Sequence, residues 1–210
     1  MPKTIAAYAS NFNGKMLDFG CGHKPYKSLF PHVDEYIGVD FNNEGHNHEK
    51  EEIDVYYDGN SLPFPDNYFD CAICTEVLEH VPDIDKSLGL LRRVLKRDAR
   101  IILTVPFIWS EHEMPFDFRR FTMNGLVEKL KEHGFEVIKT HKNGNYISVI
   151  MQLYIIFIHD LLFVKNIYIN FLINFIFVFP VTLAGIILSP VFFRYQSLYF
   201  NNIVLAVKKD

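Results

Sequence analysis

From Asn166 to Phe193 the chain carries no Asp, Glu, Lys or Arg, which sets this stretch apart from everything before it. A bilayer core needs roughly 20 consecutive apolar residues to be crossed by a helix, so the run is long enough. Cysteine is also scarce. Cys21, Cys71 and Cys74 do not make the disulfide framework of a small secreted protein. Cys71-x-x-Cys74 has the spacing of half a zinc site, but it falls in the apolar run Phe69 to Thr75. On a strand, residues three apart face opposite sides, so one ion cannot take both thiols and the pair reads as core. Positive charge is not in excess either. A net charge of -4 and a pI near 6.1 remove the electrostatic case for binding nucleic acid. There is no internal repeat, and Met1 to Asn13 has no apolar stretch of signal-peptide length, so the N-terminal domain is expected to be cytoplasmic.

Against these absences stands Met16-Leu-Asp-Phe-Gly-Cys-Gly22, followed by Gly38-Val-Asp40. An apolar run ends in an acid, a Gly-x-Gly turn follows, and a second acid ends the next apolar run. This is the layout of a nucleotide-like ligand lying across the first two strands of a parallel sheet. The third glycine of a dinucleotide fingerprint is missing, and Asp18, just before the first glycine, would repel a pyrophosphate. S-adenosylmethionine carries an ammonium and a sulfonium and no phosphate, so Asp18 would attract it. Methyl transfer is the chemistry expected.

The 210 residues suit one domain with an ample core. Met16–Phe19 reads as a buried strand, Pro25 opens a short helix that Pro31 stops, and Tyr36–Val39 and Ile53–Tyr57 are the next strands. Phe69–Thr75 has the small and apolar residues of a covered parallel strand. Leu88, Leu91 and Leu95 give Asp85–Lys96 helical spacing. Arg100–Val105 is a fifth strand, Thr122 caps a helix that Gly134 closes, and Phe135–Lys139 is a sixth strand. The alternation predicts a doubly wound α/β sheet.

The ordered set Leu17-Asp-Phe-Gly-Cys-Gly22, Gly38-Val-Asp40, Asp58-Gly-Asn-Ser-Leu-Pro-Phe64, Phe69-Asp70, Glu76-Val-Leu-Glu-His80, Arg93-Val-Leu-Lys96 and Gly134-Phe135 resembles the class I S-adenosylmethionine-dependent methyltransferases, the type 11 group in particular. The likeness runs from Lys15 to about Thr140. It implies a seven-stranded Rossmann-like sheet whose last strand is antiparallel. It further implies that Asp18, Gly20 and Gly22 hold the methionine end of the cofactor. Asp40 would take the ribose hydroxyls, for which an acceptor-only carboxylate is suited. Asp58 would meet the adenine amino group, with Leu62 close to the ring. Lys24 stands where the third glycine is usual and would meet the cofactor carboxylate, and Arg97-Asp98-Ala99 replaces a Pro-Gly-Gly in a surface turn.

For catalysis, His112 is the first candidate and His80 the second, with Glu79 beside them. Loops at the C-terminal ends of the strands converge on the site in this architecture, and a histidine near an acceptor hydroxyl is a general base near neutral pH. Glu76 shares that loop, and Arg119 and Arg120 follow in the next. Glu-x-x-Glu-His with a later histidine is also similar to the metal site of methyltransferases that modify small-RNA 3′ ends, and to metal-assisted quinone-ring O-methyltransferases. The same pattern occurs in metal-free type 11 proteins, so no metal is assigned. His46-Asn-His48-Glu-Lys-Glu-Glu52 reads as a solvated loop.

The final run Ile203–Val207 resembles the family's closing strand, which brings both ends of the apolar stretch back to one side of any membrane. Residues 1–145 and 196–210 are therefore expected to form the methyltransferase domain, with 146–195 a hydrophobic helical insertion before the last strand. Gln152, His159 and Asp160 disfavour a first full crossing, since an acid at mid-helix costs about 3 kcal/mol. Asn166, Asn170 and Asn174 draw a polar line along one helix, which Pro180 bends or ends. A hairpin embedded in one leaflet, or lying on the domain and dipping into it, is the expectation, with two spans or a soluble dimer interface as alternatives. Tyr154, Tyr168, Tyr195, Tyr199, Lys165 and Arg194 suit a headgroup boundary. The reading is an O-methyltransferase at the cytoplasmic face of a membrane, acting on an apolar or lipid-linked acceptor. The runners-up are a metal-assisted O-methyltransferase of a quinone-type or RNA substrate, a non-catalytic membrane-associated module, and an NAD or nucleotide-sugar enzyme.

Overall fold

A computed structural model describes residues 1–41 and 52–209 of the chain. Seven strands lie in the order β3-β2-β1-β4-β5-β7-β6. In chain order the elements are α1 (Pro2–Ala9), β1 (Gly14–Phe19), a 3-10 turn (Lys27–Leu29), β2 (Val33–Phe41), β3 (Val55–Tyr57), β4 (Phe69–Thr75), α2 (Ile84–Val94), β5 (Leu95–Pro106), α3 (Met123–Glu132) and β6 (Phe135–Asn143). They are followed by α4 (Tyr146–Leu162), α5 (Ile167–Ile173), a π-helical turn (Asn174–Val178), α6 (Phe179–Val191) and β7 (Asn201–Lys208). Strands β1 to β5 pair in parallel. Phe200 N–H donates to Asn143 and Lys209 N–H to Gly134, so β7 starts beside the end of β6 and the two run antiparallel. The doubly wound sheet with its reversed last strand is present as expected.

The chain divides into two compact units, Met1–His141 with Asn202–Asp210, and Lys142–Asn201. In the first, apolar alternation along the strands feeds a core on each face of the sheet. One core joins Leu17, Phe19, Ala72 and Cys74 with Leu88 and Leu91 of α2, Leu126 and Leu130 of α3, and Val204 and Ala206 of β7. The other joins Met16, Cys71, Ile73, Ile203 and Leu205 with Ile5 and Ala9 of α1. Cys71 and Cys74 thus sit on opposite faces, both buried. Both helices over the first core begin on side-chain caps: Asp83 accepts from Lys86 N–H and Thr122 from Gly125 N–H.

Three details differ from the sequence reading. Helix α1 leaves no clear sequence signal: its eight residues are too few to show a helical period over several turns. The segment after Pro25 makes only the 3-10 turn Lys27–Leu29. Arg97-Asp98-Ala99 is not a turn before β5 but a bulge within it. Register shifts between the pairs Phe69–Leu95 and Cys71–Arg100, and Asp98 takes φ +61° to make the bend.

In the second unit, α4 and the continuous helix Ile167–Val191 form a hairpin. Asn145 opens it with a capping box: its side chain accepts from Ser148 N–H while Ser148 Oγ accepts from Asn145 N–H. The Asn145 amide also donates to the carbonyl and the hydroxyl of Ser189, at 2.8 and 2.9 Å, tying the two arms at one end. At the other end Asn170 closes a ring with the Val164 backbone, accepting from its N–H and donating to its carbonyl.

Candidate functional site

A cavity of about 510 Å³ opens where β1, β2 and β4 end. Its size suits a nucleoside-like ligand. Its walls include Gly20, Gly22, Asp40, Asp58, Glu76, His80, Lys86, Glu113 and Phe116. The first wall exists because β1 must turn sharply after Phe19. Gly20 takes φ +73°, and a Cβ there would lie 2.1 Å from Val77 Cγ2, so only glycine fits. Gly22 N–H donates to Asp40 Oδ2 at 2.8 Å, while Asp40 Oδ1 accepts from Phe41 N–H. The tip of β2 therefore holds the turn after β1, and the Asp40 carboxylate stands at the cavity. Asp58 anchors an Asx turn by accepting from the N–H groups of Asn60 and Ser61, which keeps its carboxyl below the ordinary range.

Three other expected cofactor residues lie elsewhere. Asp18 is 3% exposed, is not among the cavity-lining residues, and accepts from the Tyr36 hydroxyl at 2.6 Å. Burial pushes its carboxyl up from 3.8 to about 7; the Tyr36 bond works against that rise and Asp40 adds to it. Lys24 does not line the cavity: buried, it gives its ammonium to Asp54 Oδ2 at 2.6 Å, and the same oxygen accepts from Gly38 N–H. Lys24 is thus a clamp between the turn after β1 and the start of β3. Leu62 is buried in the core and its carbonyl accepts from Arg93.

The catalytic candidates converge. Glu79, His80 and His112 offer ligand-type atoms within 4.8 Å of one another. The His80 and His112 rings meet edge to face with centroids 4.7 Å apart. His80 Nδ1 lies 3.0 Å from the Phe116 carbonyl, which fixes the proton on that nitrogen. Its Nε2 then faces Glu79 Oε1 at 3.8 Å and Glu113 Oε2 at 3.5 Å. Glu79 is fully buried, neither of its oxygens has a hydrogen-bond partner, and burial with the nearby Glu76 raises its carboxyl from 4.5 to about 8. Glu76, held by the Thr104 hydroxyl at 2.6 Å, lines the cavity. His112 leans on Asp117, which accepts its N–H at 3.0 Å and is held well below the usual carboxylate range, chiefly by Arg120. Arg119 donates to the carbonyls of Leu78 and Pro82. Both arginines build the loop.

Sequence reasoning passed over Tyr36, Asp54, Glu113 and Asp117. Glu113 and Asp117 stand in the segment that follows His112, an available signal. Tyr36 and Asp54 are brought to their partners only by the pairing of β1, β2 and β3. The histidine-rich segment from His46 lies, apart from Glu52, outside the described residues. A second trio, Asp85, Glu132 and His133, lies at α2 and the end of α3, with both acids exposed and His133 half-buried.

The parallel sheet with its reversed last strand and the cavity at the ends of β1 and β2 define the class I S-adenosylmethionine-dependent methyltransferase fold. Residues 17–103 match the family model described as a methyltransferase domain, of the type 11 group. The uncharacterized methyltransferase YcgJ of Bacillus subtilis is 35% identical over 99 residues, 42% of this chain and 39% of that protein. Its crystal structure superposes with a TM-score of 0.58 at 18% identity, covering 100% of this chain and 98% of that one. The ubiquinone/menaquinone biosynthesis C-methyltransferase UbiE of Vibrio cholerae is 32% identical over 114 residues, 48% of this chain and 44% of that protein. These matches span less than half the length of either relative. Phosphoethanolamine N-methyltransferase 2 of Haemonchus contortus, solved in complex with S-adenosyl-L-methionine, shares the fold with a TM-score of 0.58 at 18% identity, over 100% of this chain and 52% of that one.

Proposed function

We propose that the protein is an S-adenosylmethionine-dependent methyltransferase that acts on an apolar or lipid-linked acceptor at the cytoplasmic face of a membrane. The observation that carries the transfer chemistry is the cavity itself: Gly20 and Gly22 form one wall and the Asp40 and Asp58 carboxylates line it, which supports their roles toward ribose and adenine. Asp40 accepts two backbone N–H groups, and a carboxylate, which only accepts, suits ribose hydroxyls. The Asp40, Asp58 and Glu76 carboxylates on the cavity wall suit a cationic cofactor with an ammonium and a sulfonium. His80, Glu76 and Glu113 line the same cavity, within reach of an acceptor.

The membrane reading rests on the second unit. The helix Ile167–Val191 has 25 residues, a mean hydropathy of 2.5 and no buried share in its most apolar window. At 1.5 Å per residue it is about 37 Å long, against roughly 30 Å of hydrocarbon. Ile167, Tyr168 and Phe171 are each more than 70% exposed, an arrangement water does not tolerate over a large patch. Because β6 and β7 belong to one sheet, the hairpin returns to the side it left.

A second reading has its own support: the likeness to UbiE, a C-methyltransferase, favours a ring carbon of a quinone precursor as acceptor. One experiment addresses both. Membranes containing the protein are incubated with radiolabelled S-adenosylmethionine and extracted. Label in the organic phase, with S-adenosylhomocysteine formed in step, supports a lipidic acceptor. Release of the label by ether-cleaving reagents assigns oxygen, and retention assigns carbon. Label confined to the aqueous phase refutes the lipidic acceptor, and no S-adenosylhomocysteine refutes methyl transfer.

A further inference from the structure

We propose that a second cavity, at the end of the sheet opposite the donor site, binds a small phosphate ester. It has a volume of about 710 Å³ and shares no lining residue with the donor cavity. Asn67 precedes β4, Gly134 precedes β6 and Lys208 ends the reversed β7, which sets the cavity beside the strand starts. Every lining residue is polar or glycine, so an apolar ligand finds nothing to pack against. The volume admits a molecule the size of a sugar phosphate. This site does not depend on the methyl-transfer reading.

The charges select an anion. Arg92, Arg93, Lys131 and Lys208 line the cavity against two acids, Asp66 and Glu132. Both acids are neutralised within the fold, Asp66 by Arg93 at 2.9 Å and Glu132 by Lys129 at 3.1 Å, and both are exposed. Arg93 also donates to the Phe64 and Leu62 carbonyls, so it serves the fold. Lys131 pairs with Glu128 on the surface of α3, a contact that contributes little. Lys208 gives its ammonium to two neutral oxygens, Asn67 Oδ1 at 2.9 Å and the Leu95 carbonyl at 2.5 Å.

Arg92 is the cation that the fold leaves unmatched. It stands in the last turn of α2, where an arginine ordinarily caps the final carbonyls. It donates to none of them, and among the described residues it has no hydrogen bond or ion pair. Its pose is nonetheless fixed. Gly134, at φ +75°, lets the guanidinium lie against its backbone, where a Cβ would stand 2.7 Å from Nε and 3.4 Å from Nη2. The buried Nε has no acceptor, a cost that is larger on a charged group than on a neutral one. A planar guanidinium meets phosphate oxygens two at a time. With Lys131 and Lys208 on the same walls, the positive charge matches a phosphate's near-double negative charge better than a single carboxylate.

The test is calorimetric titration of inorganic phosphate and of pyrophosphate into the full-length chain in neutral detergent. Ionic strength is held constant with chloride, so that screening does not vary. One site per chain is expected, unaffected by saturating S-adenosylhomocysteine. Arg92→Met weakens pyrophosphate binding at least tenfold and Lys131→Met severalfold. Arg97→Met, which removes an exposed arginine outside the cavity, leaves binding unchanged. Lys131 lies on the surface of α3, so its variant reports even where Arg92→Met fails to fold. No saturable binding, displacement by S-adenosylhomocysteine, or binding indifferent to Arg92→Met and Lys131→Met overturns the proposal. So does an equal loss in Arg97→Met, or binding only to vesicles that contain anionic phospholipid.

Discussion

Replacing Asp18 by asparagine measures what this buried acid costs the fold and whether the ligand depends on it. The carboxyl is buried, and burial raises it from 3.8 to about 7. In the folded protein it therefore keeps its proton to near neutrality, whereas in the unfolded chain the proton leaves near pH 4. Between those values the folded state binds more protons, so this group's contribution to stability is greatest below pH 4 and is lost as pH rises through 7. Over the whole window the loss is on the order of 4 kcal/mol, and from pH 5 to pH 8 about 2–3 kcal/mol. The asparagine of the variant cannot ionise, yet its amide oxygen still accepts from the Tyr36 hydroxyl. Glu79 has the same sign of shift, so the wild type and the variant are compared at each pH to cancel it. Denaturant titrations at pH 5 and pH 8 are expected to show Asp18→Asn gaining about 2–3 kcal/mol on the wild type between the two pH values. Its affinity for S-adenosylmethionine is expected to change little, because Asp18 does not line the cavity. Parallel pH profiles, or a large loss of affinity, refute the reasoning.

Other substitutions probe the remaining parts. Gly20→Ala forces its Cβ into Val77 at φ +73°; donor binding by calorimetry is expected to fall at least tenfold while the far-ultraviolet spectrum is retained. Lys24→Met breaks the clamp to Asp54 without touching the cavity wall, so thermal stability drops by about 1–3 kcal/mol and donor affinity changes little; a large affinity loss instead shows Lys24 on the cofactor. Asn145→Ala removes a helix cap and the tie to Ser189; hydrogen exchange is expected to rise in α4 and α6 and to stay unchanged in β1 and β4. Carbonate extraction leaves the protein in the membrane pellet if the hairpin is embedded, and releases it if the helices cover a dimer.

What the sequence made legible follows from how each signal arises. Buried strands such as β1 and β4 have to be apolar through their length, so Met16–Phe19 and Phe69–Thr75 stand out directly. The turn after β1 is legible because Gly20 is sterically required there. The cap at Thr122 and the closing β7 are legible for similar local reasons. Asp18 and Lys24 mislead because a motif gives a side chain's position but not its partner. Whether Asp18 meets a ligand or Tyr36, and Lys24 a carboxylate of the cofactor or of Asp54, depends on strands distant in sequence. The cluster of Glu79, His80, His112 and Glu113 is half legible. Its residue types are evident, but their convergence depends on loops after β4 and β5 folding onto each other, with Phe118 N–H on the Glu79 carbonyl and Arg119 across Leu78 and Pro82.

The central claim is that the cavity at the ends of β1 and β2 takes S-adenosylmethionine, and calorimetric titration of the donor into the full-length protein tests it most directly. One site per chain is predicted, with S-adenosylhomocysteine competing and Asp40→Ala binding at least tenfold more weakly. No measurable heat in the wild type, or equal affinity in Asp40→Ala, contradicts the account.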